Sequence, residues 1–321
     1  MAADNPQKKH WSGSGQLRGG RWGIWFFITA LRVFGLRITY LLSVPPAVYF
    51  SFASPDVAAT MDFHRRIFGL MPWWKRRWLV FKHFQSFGRA LIDRTAILAG
   101  DKKHFSFFFD GEKNLRDALA GGRGVLLLTA HVGNWEAGGQ LLARVDTPIT
   151  VTGFDNELPR IRALLDSSAN PKFRLLPLTG SPTDVIPLVA ALRRGEIVAM
   201  LGDRAYGSPS TQLPFLGGTA AFPVGAYVMA AIAGAPLMHA FSLREPGGHY
   251  HFFGFPPQYF ELPGRNERDA YLNACAADFA RNLEAVVRRD PFQWYNFYPF
   301  WQSGEPPKLT PKPNPELCPS R

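Results

Sequence analysis

Apolar and polar positions alternate along residues 110–300 in a way that predicts strands and helices in turn. Short apolar runs bounded by Gly, Pro and polar residues predict buried strands. They are residues 124–130, 148–154, 196–202, 236–243 and 250–256. Stretches with apolar residues at three- and four-residue spacing predict the helices between them, at 114–121, 136–145, 158–169, 184–195, 223–235 and 267–289. The alternation indicates an α/β fold, with a central mostly parallel or mixed sheet flanked by helices.

The N-terminal part has a different pattern. Residues 21–54 are mostly apolar, yet Arg32 and Arg37 interrupt them and Pro45–Pro46 break them. A membrane-spanning helix needs about 20 uninterrupted apolar residues, and a charge near the bilayer centre is costly. We therefore expect a helical membrane anchor, embedded or interfacial, whose arginines reach towards the headgroups. A single span and a buried core helix are the alternatives.

Residues 61–99 predict a long helix, because their apolar positions recur at helical spacing. Near its start three tryptophans alternate with three basic residues: Trp73, Trp74 and Trp78 with Lys75, Arg76 and Arg77. Such a segment can lie at the headgroup level of a membrane. Stacking on single-stranded nucleic acid is the alternative, but no nucleic-acid-binding motif accompanies it.

The organisation that follows has four parts. They are a polar N-terminal segment (1–20), a hydrophobic anchoring segment (21–54), an α/β domain (55–303) and a Pro-rich tail (304–321). Of the formal net charge of +11, residues 1–110 carry +10, from 16 Lys/Arg and 6 Asp/Glu. A basic region beside aromatic residues suggests an anionic partner, such as membrane headgroups, an acidic protein or nucleic acid, and a solvated surface that aids solubility is the alternative.

The two cysteines, Cys275 and Cys318, have no metal-binding spacing and indicate neither a zinc site nor a disulfide framework. A reducing location that faces the cytosol fits them best. HEXXH, G-x-S-x-G and Walker A motifs are missing from the sequence, so a zinc protease, a serine hydrolase and a P-loop protein have no support.

The candidate chemistry lies in "LLLTAHVGNWEAGGQLL", residues 126–142. His131 follows a buried strand and should emerge at the strand's carboxyl edge, where sites of α/β sheets lie. Asn134 is a good N-cap, which places Glu136 in the first turn of the next helix. At such a corner a carboxylate can fix one imidazole nitrogen while the other takes a proton from a hydroxyl. Gly133 would allow a substrate to approach the backbone closely. A core histidine beside a helix cap is the alternative.

The segment "AHVGNWE" resembles the H-x4-D/E block of the glycerolipid acyltransferase superfamily, and residues 126–142 look like the branch of bacterial lipid A biosynthesis acyltransferases. Residues 199–241 continue the resemblance, with Asp-Arg after a strand, then "PFLGGTAAFPVG", then "GAP" before an apolar run. The layout extends over residues 20–300. The resemblance implies transfer of a fatty acyl group from acyl carrier protein, or coenzyme A, to a lipid-linked hydroxyl at the cytoplasmic face of the bacterial inner membrane.

On this interpretation His131 deprotonates the acceptor hydroxyl and Glu136 orients His131, while Asn134 shapes the corner. Asp203 and Arg204 emerge from the neighbouring strand. Arg204 would hold a phosphate or a developing oxyanion and Asp203 would fix that arginine, or the two form an ordinary ion pair at a strand end. No metal or other cofactor is required, because a base and a thioester donor account for acyl transfer.

A second set of residues, Phe215, Gly217, Gly218 and Thr219, either shapes the substrate pocket or forms structural turns. One departure from the lipid A enzymes is "FQWYNFYPFW" (292–301), which has Trp294 but no adjacent histidine or basic residue. It puts lipid A in doubt as the acceptor and suggests another glycolipid, such as that of an aryl polyene-associated branch. A thioesterase or lipid hydrolase with the same base, and a non-catalytic membrane scaffold, remain as alternatives.

Overall fold

A computed structural model of the chain describes residues 20–98, 100–101, 103–138, 145–154, 173–178, 181–205 and 208–301. The α-helices in these ranges are α1 (Gly20–Leu42), α2 (Val44–Ala53), α3 (Val57–Phe68), α4 (Trp73–Leu98), α5 (Glu112–Ala120), α6 (Val185–Arg193), α7 (Gly225–Ala233) and α8 (Arg268–Arg289). The strands are β1 (Ser106–Asp110), β2 (Val125–Thr129), β3 (Ile149–Phe154), β4 (Phe173–Leu178), β5 (Ile197–Leu201), β6 (Ser210–Phe215), β7 (Gly218–Pro223), β8 (Leu237–Arg244) and β9 (His249–Gly254).

Seven of these strands form one mixed sheet in the order β1-β9-β8-β2-β5-β3-β4. Neighbouring strands run parallel except β8 and β9, which are antiparallel. The central strand β2 buries residues on both faces: Leu126 and Leu128 pack into one hydrophobic cluster, Val125 and Leu127 into another. A strand covered on both faces needs an uninterrupted apolar sequence. The predicted α/β fold with a central mixed sheet flanked by helices is confirmed.

The five predicted strands correspond to β2, β3, β5, β8 and β9. The apolar pattern did not reveal β1 and β4, which lie at the two edges of the sheet. β1 has only three consecutive apolar residues, Phe107–Phe109, which is too short a run to indicate a buried strand, and none of its residues is fully buried. The separate antiparallel hairpin of β6 and β7 was also missed, because its prolines and glycines are typical of a loop.

The predicted long helix at 61–99 is two helices, α3 and α4, separated by residues 69–72. Gly69 has a φ of 76°, which ends α3, and Pro72 directly precedes α4. Of the helix predicted at 136–145, the described part begins as a 3-10 turn, Trp135–Gly138. The helix predicted at 158–169, the tail at 304–321 and all of the polar segment 1–20 except Gly20 lie outside the described residues.

The N-terminal helices α1 and α2 pack on α4. Residues Trp25–Ala53 are long and apolar enough to cross a membrane, by length and composition only. The helical path is broken, however. Gly35 leaves the helical conformation at φ 73° and ψ 179°, and Pro45 and Pro46 lie in the first turn of α2. An apolar helical segment at the N-terminus is therefore present, as the sequence predicted.

Candidate active site

Two neighbouring parallel strands place His131 beside Asp203. Thr129 at the end of β2 pairs in register with Leu201 at the end of β5. His131 and Asp203 each follow two residues later, so both side chains lie at the carboxyl edge of the sheet. This is the edge at which sites of α/β sheets form.

The Asp203 carboxylate contacts His131 twice. Oδ1 lies 2.8 Å from His131 Nδ1, and Oδ2 accepts a hydrogen bond from the His131 backbone N–H at 3.1 Å. The Asp203 side chain is 2% exposed and that of His131 is 15% exposed. Burial by itself raises the pKa of Asp203, but the charge and hydrogen bonds of His131 and the charge of Arg204 outweigh it and lower the pKa to about 2. Asp203 is therefore ionised near neutral pH, and it holds the imidazole with the proton on Nδ1.

Trp294 completes the surroundings of Asp203. Its Nε1–H donates to Asp203 Oδ2 at 3.1 Å, and the indole is fully buried. Phe63 and Phe215 pack edge-on against this indole, with ring centroids 5.2 and 5.4 Å away. The three hydrogen bonds described for the Asp203 carboxylate come from N–H groups: the backbone N–H and Nδ1–H of His131 and the Nε1–H of Trp294. A carboxylate surrounded by donors stays charged and fixed in place.

The backbone around Trp294 is paired with residues 131–133, which form the histidine loop. Tyr295 N–H donates to His131 O at 2.8 Å, and Gly133 N–H donates to Gln293 O at 2.7 Å. Val132 and Trp294 form an isolated antiparallel bridge between these two bonds. The C-terminal decapeptide therefore forms one wall of the site, which the sequence analysis had connected only with acceptor choice.

Gly133 is required by the shape of the loop. Its φ is +59°, and a Cβ atom there would overlap the carbonyl oxygen of Ser242. The residue is buried, so its lack of a side chain permits close contact with the protein's own backbone. The sequence analysis had expected close contact with substrate.

Asn134 caps the turn that follows, as predicted. Its Oδ1 accepts a hydrogen bond from Ala137 N–H at 3.2 Å. Glu136 lies in this 3-10 turn, but its side chain is outside the described part of the chain. The role predicted for Glu136 thus stays a prediction, whereas the described carboxylate on His131 Nδ1 is that of Asp203.

Arg204 is buried next to the pair. Its guanidinium donates to Tyr295 O at 3.2 Å and lies 5.1 Å from the ring centroid of Tyr298. The sequence analysis assigned Asp203 to hold Arg204. In the structure the hydrogen bonds described for the Asp203 carboxylate go to His131 and Trp294, and Arg204 contributes a nearby positive charge.

Residues of the β6–β7 hairpin pack against Trp294 and its neighbours. Phe215 is buried against Trp294 and accepts, through its carbonyl, a hydrogen bond from Trp301 Nε1 at 2.8 Å. The Cα of Gly218 faces the guanidinium of Arg66 and the indole of Trp301, so a side chain has no room there. Gly217 adopts a φ of 74° in the turn, and Thr219 is exposed on β7. These contacts fit the structural-turn alternative.

Sequence reasoning missed a pair of buried histidines that joins the N-terminal helices to this wall. His64 Nε2 lies 3.2 Å from His83 Nδ1, and His83 Nε2 lies 2.9 Å from Trp294 O. Because a carbonyl only accepts, His83 donates a hydrogen bond from Nε2 to Trp294 O, and its Nδ1 accepts a hydrogen bond from His64 Nε2–H. Burial lowers the pKa of His83 to about 4 and that of His64 to about 2. Both rings are therefore neutral, and through His83 they hold the backbone of Trp294 in place.

Within the described ranges no group of three or more His, Cys, Asp or Glu side chains is arranged to hold a metal ion. The residues that meet at the sheet edge supply a histidine whose tautomer is fixed, a buried carboxylate and a buried guanidinium. This set is suited to general acid–base chemistry on a hydroxyl or water.

Fold and site together define an α/β protein with a His–Asp pair at the carboxyl ends of two central parallel strands. Residues 12–303 match the bacterial lipid A biosynthesis acyltransferases, and the chain belongs to that family. The family resemblance found in the sequence is confirmed.

Two similar proteins are phosphatidylinositol mannoside acyltransferases. That of Mycobacterium tuberculosis (strain CDC 1551 / Oshkosh) is 29% identical over 197 residues, which cover 60% of this chain and 58% of that protein. That of Mycolicibacterium smegmatis (strain ATCC 700084 / mc(2)155) is 26% identical over 191 residues, which cover 59% and 60%. The chain thus spans less than two-thirds of these curated relatives.

Among solved structures, the chain is similar to the 1-acyl-sn-glycerophosphate acyltransferase PlsC of Thermotoga maritima. The sequence identity is 12%, the TM-score is 0.34, and the match covers 72% of this chain and 97% of that one.

Proposed function

We propose that the protein is a membrane-associated O-acyltransferase. It moves a fatty acyl group from a thioester, carried by acyl carrier protein or coenzyme A, to a hydroxyl of a lipid or glycolipid. The observation that carries the proposal is the His131–Asp203 pair. His131 is the histidine of the block that resembles the family's H-x4-D/E motif, and Asp203 follows the neighbouring strand.

The pair supplies the base that the reaction needs. Asp203 occupies Nδ1 of His131, so Nε2 is the atom that takes the proton of the acceptor hydroxyl. The hydroxyl oxygen attacks the thioester carbonyl carbon, an ester C–O bond forms, and the C–S bond breaks. The departing thiolate recovers the proton from Nε2. The products are an acylated lipid and a free thiol, and neither an oxidant nor a metal takes part in the proton balance.

The imidazolium that forms during transfer is stabilised by a carboxylate already in place. Asp203 is ionised before the reaction, so no group has to reorganise when positive charge develops on His131. Arg204, which directly follows Asp203 and is buried, would bind a donor or acceptor phosphate or the developing oxyanion. Glu136 would support the orientation of His131 from the adjoining turn, and Asn134 keeps that turn in shape.

The acceptor proposed is a glycolipid. The similar proteins carry the name phosphatidylinositol mannoside acyltransferase, and "FQWYNFYPFW" lacks the His–basic cluster of the lipid A enzymes. The location proposed is the cytoplasmic face of the bacterial inner membrane, held by the N-terminal apolar segment. The positive charge concentrated in residues 1–110 would attract anionic lipid and an acidic carrier protein.

Product analysis tests this function. Full-length protein in detergent is given a labelled acyl thioester, as carrier protein or coenzyme A conjugate, together with a bacterial membrane lipid extract. We expect label in an acylated lipid and stoichiometric release of free thiol. Label found only in free fatty acid would make the protein a hydrolase, and binding of lipid vesicles without any thioester turnover would make it a scaffold. Either result would overturn the proposal.

A further inference from the structure

The exposed large hydrophobic side chains are concentrated in the N-terminal helices. Of the 18 such residues in the described part of the chain, 14 lie between Trp25 and Trp78. They are Trp25, Phe26, Val33, Phe34, Ile38, Leu41, Val48, Tyr49, Phe52, Phe68, Leu70, Trp73, Trp74 and Trp78. The other four are scattered over the rest of the domain. An apolar surface of this kind marks contact with a membrane or another protein.

The apolar run before the break at Gly35 is too short to cross a bilayer. It extends from Trp22, directly after Arg21, to Phe34, and these 13 residues span about 20 Å at 1.5 Å per residue. The hydrocarbon core of a bilayer is about 30 Å thick. A Cβ at Gly35 would meet nothing within 4 Å, so the glycine is required by its backbone conformation and not by lack of space. Arg32 and Arg37 flank the break and are exposed, which would be costly at mid-bilayer.

After the break, the chain is fixed to the catalytic domain. Thr39 and Ser43 are buried, Gln85 of α4 donates to Ser43 Oγ at 3.1 Å, and the Tyr40 hydroxyl donates to Asp93. These polar contacts hold this part of the chain against the domain. Residues 36–53 therefore lie along the surface of the domain, with only their outward side free for lipid.

The tryptophan cluster at the start of α4 is joined to the same surface. Trp73, Trp74 and Trp78 are 71%, 61% and 57% exposed. Arg77 links them to α2, because it donates to Ser51 O at 3.2 Å and lies 5.2 Å from the ring centroid of Phe52. Lys75 and Arg76 between the rings are exposed. Tryptophan beside basic residues is typical of the headgroup level of an anionic membrane.

We propose that α1, α2 and the first turns of α4 form a monolayer-docking surface, which enters one leaflet of an anionic bilayer and does not cross it. Residues 1–19 then stay on the same side of the membrane as the catalytic domain. The partner is a phospholipid surface, since alternating rings and cations complement headgroup and acyl chain together. The proposal stands on this surface and not on the proposed catalysis, so the two can be tested separately.

Sidedness is tested by cysteine labelling in cells. Ser12→Cys is placed in a Cys318→Ser background, and the chain that retains Cys318 serves as the reference for the catalytic side. A membrane-impermeant maleimide is applied to spheroplasts and to inverted membrane vesicles. We expect both cysteines to be labelled in the inverted vesicles and neither in spheroplasts. Opposite sidedness of the Ser12→Cys label would mean that the segment spans the membrane, and would overturn the proposal.

Vesicle flotation tests which residues bind. Full-length protein is moved from detergent onto phosphatidylglycerol/phosphatidylcholine vesicles. Binding should fall about tenfold in the double variant Trp73→Ala/Trp74→Ala. It should fall 10- to 30-fold in Lys75→Gln/Arg76→Gln, with the charge effect lost on pure phosphatidylcholine. The matched controls Tyr259→Ala and Arg265→Gln, exposed on the catalytic domain, should bind as wild type. Undiminished binding by both double variants, or a stable dimer that buries the tryptophans, would overturn the proposal.

Discussion

One carboxylate, that of Asp203, fixes both the ring and the backbone of His131. Oδ1 lies 2.8 Å from Nδ1 of the imidazole, and Oδ2 accepts the backbone N–H of the same residue at 3.1 Å. The two residues are 72 positions apart and meet because they follow parallel neighbouring strands. The histidine is thus held in one tautomer and one position.

Asp203→Asn should remove nearly all activity without unfolding the protein. If the amide oxygen of the new asparagine accepts from the backbone N–H of His131 and from Trp294 Nε1–H, the amide NH2 group faces His131 Nδ1. The ring proton then moves to Nε2, which leaves Nε2 unable to act as the base. We expect kcat to fall about 10²- to 10⁴-fold with little change in KM. The measurement is steady-state release of free thiol from the acyl thioester, with a thermal melt to confirm folding.

Glu136→Gln should cost less activity than Asp203→Asn. Asp203 already occupies Nδ1, so a carboxylate at position 136 has only a supporting part in holding the ring. Side-by-side kcat values of the two variants, measured under the same conditions, rank the two acids. A loss in Glu136→Gln that equals or exceeds that of Asp203→Asn would show that the acid predicted from the sequence is the one that governs His131.

Trp294→Phe removes the third N–H group on Asp203 but keeps an aromatic ring in the core. A hydrogen bond to a charged group contributes about 1.5–3 kcal/mol, so we expect kcat to fall tenfold or more. Trp301→Phe is the matched control, because Trp301 packs in the same cluster and donates to Phe215 O without contacting Asp203. The control should lose comparable stability and retain its kcat. Equal losses of kcat would attribute the effect to packing alone.

Gly133→Ala should destabilise the histidine loop. The residue has a positive φ, and the added methyl group would overlap Ser242 O. We expect a loss of activity together with a lower melting temperature. Gly122→Ala is the control for backbone strain alone, because Gly122 has a φ of 78° but open space around it. That variant should lose only about 1 kcal/mol of stability and keep its activity.

The free energy of unfolding should decrease as the pH falls, and part of this decrease should come from His83. Burial lowers the pKa of His83 to about 4, below its ordinary value of 6.5, so the unfolded chain binds a proton that the folded chain does not. Stability is therefore lost as the pH falls from 6.5 towards 4, by about 2 kcal/mol at pH 5 from this residue. His83→Gln should melt at more nearly equal temperatures at pH 7 and pH 5 than wild type does. An unchanged pH dependence in the variant would contradict this account.

How much of this the sequence predicts depends on how local each signal is. Buried strands such as β2 are apparent from their apolar runs, and Asn134 is recognisable as a cap from its place before the turn. The edge strand β1 has a run of only three apolar residues, Phe107–Phe109, which is shorter than the four to eight typical of a buried strand. In the site, His131 was identified from its position after a buried strand.

The partner of His131 was harder to predict because the relevant contact is not local. Glu136 is near in sequence, whereas Asp203 becomes a neighbour only through the register of β2 and β5. The two strands were predicted to be neighbours, yet Asp203 was assigned to Arg204, the next residue in the sequence, and not to His131. Trp294 and His83 are more distant still, since their contacts join the two ends of the chain. Such pairs are determined by the packing of distant segments, and the apolar periodicity within one segment gives no information about that packing.

The central claim is that His131 is the base of an acyl transfer, and one comparison tests it most directly. Wild-type protein and His131→Ala, both folded by thermal melt and both bound to membranes, are given the same labelled acyl thioester and lipid extract. The account predicts label in an acylated lipid with wild type and none above background with His131→Ala. Transfer by His131→Ala at the wild-type rate would contradict it.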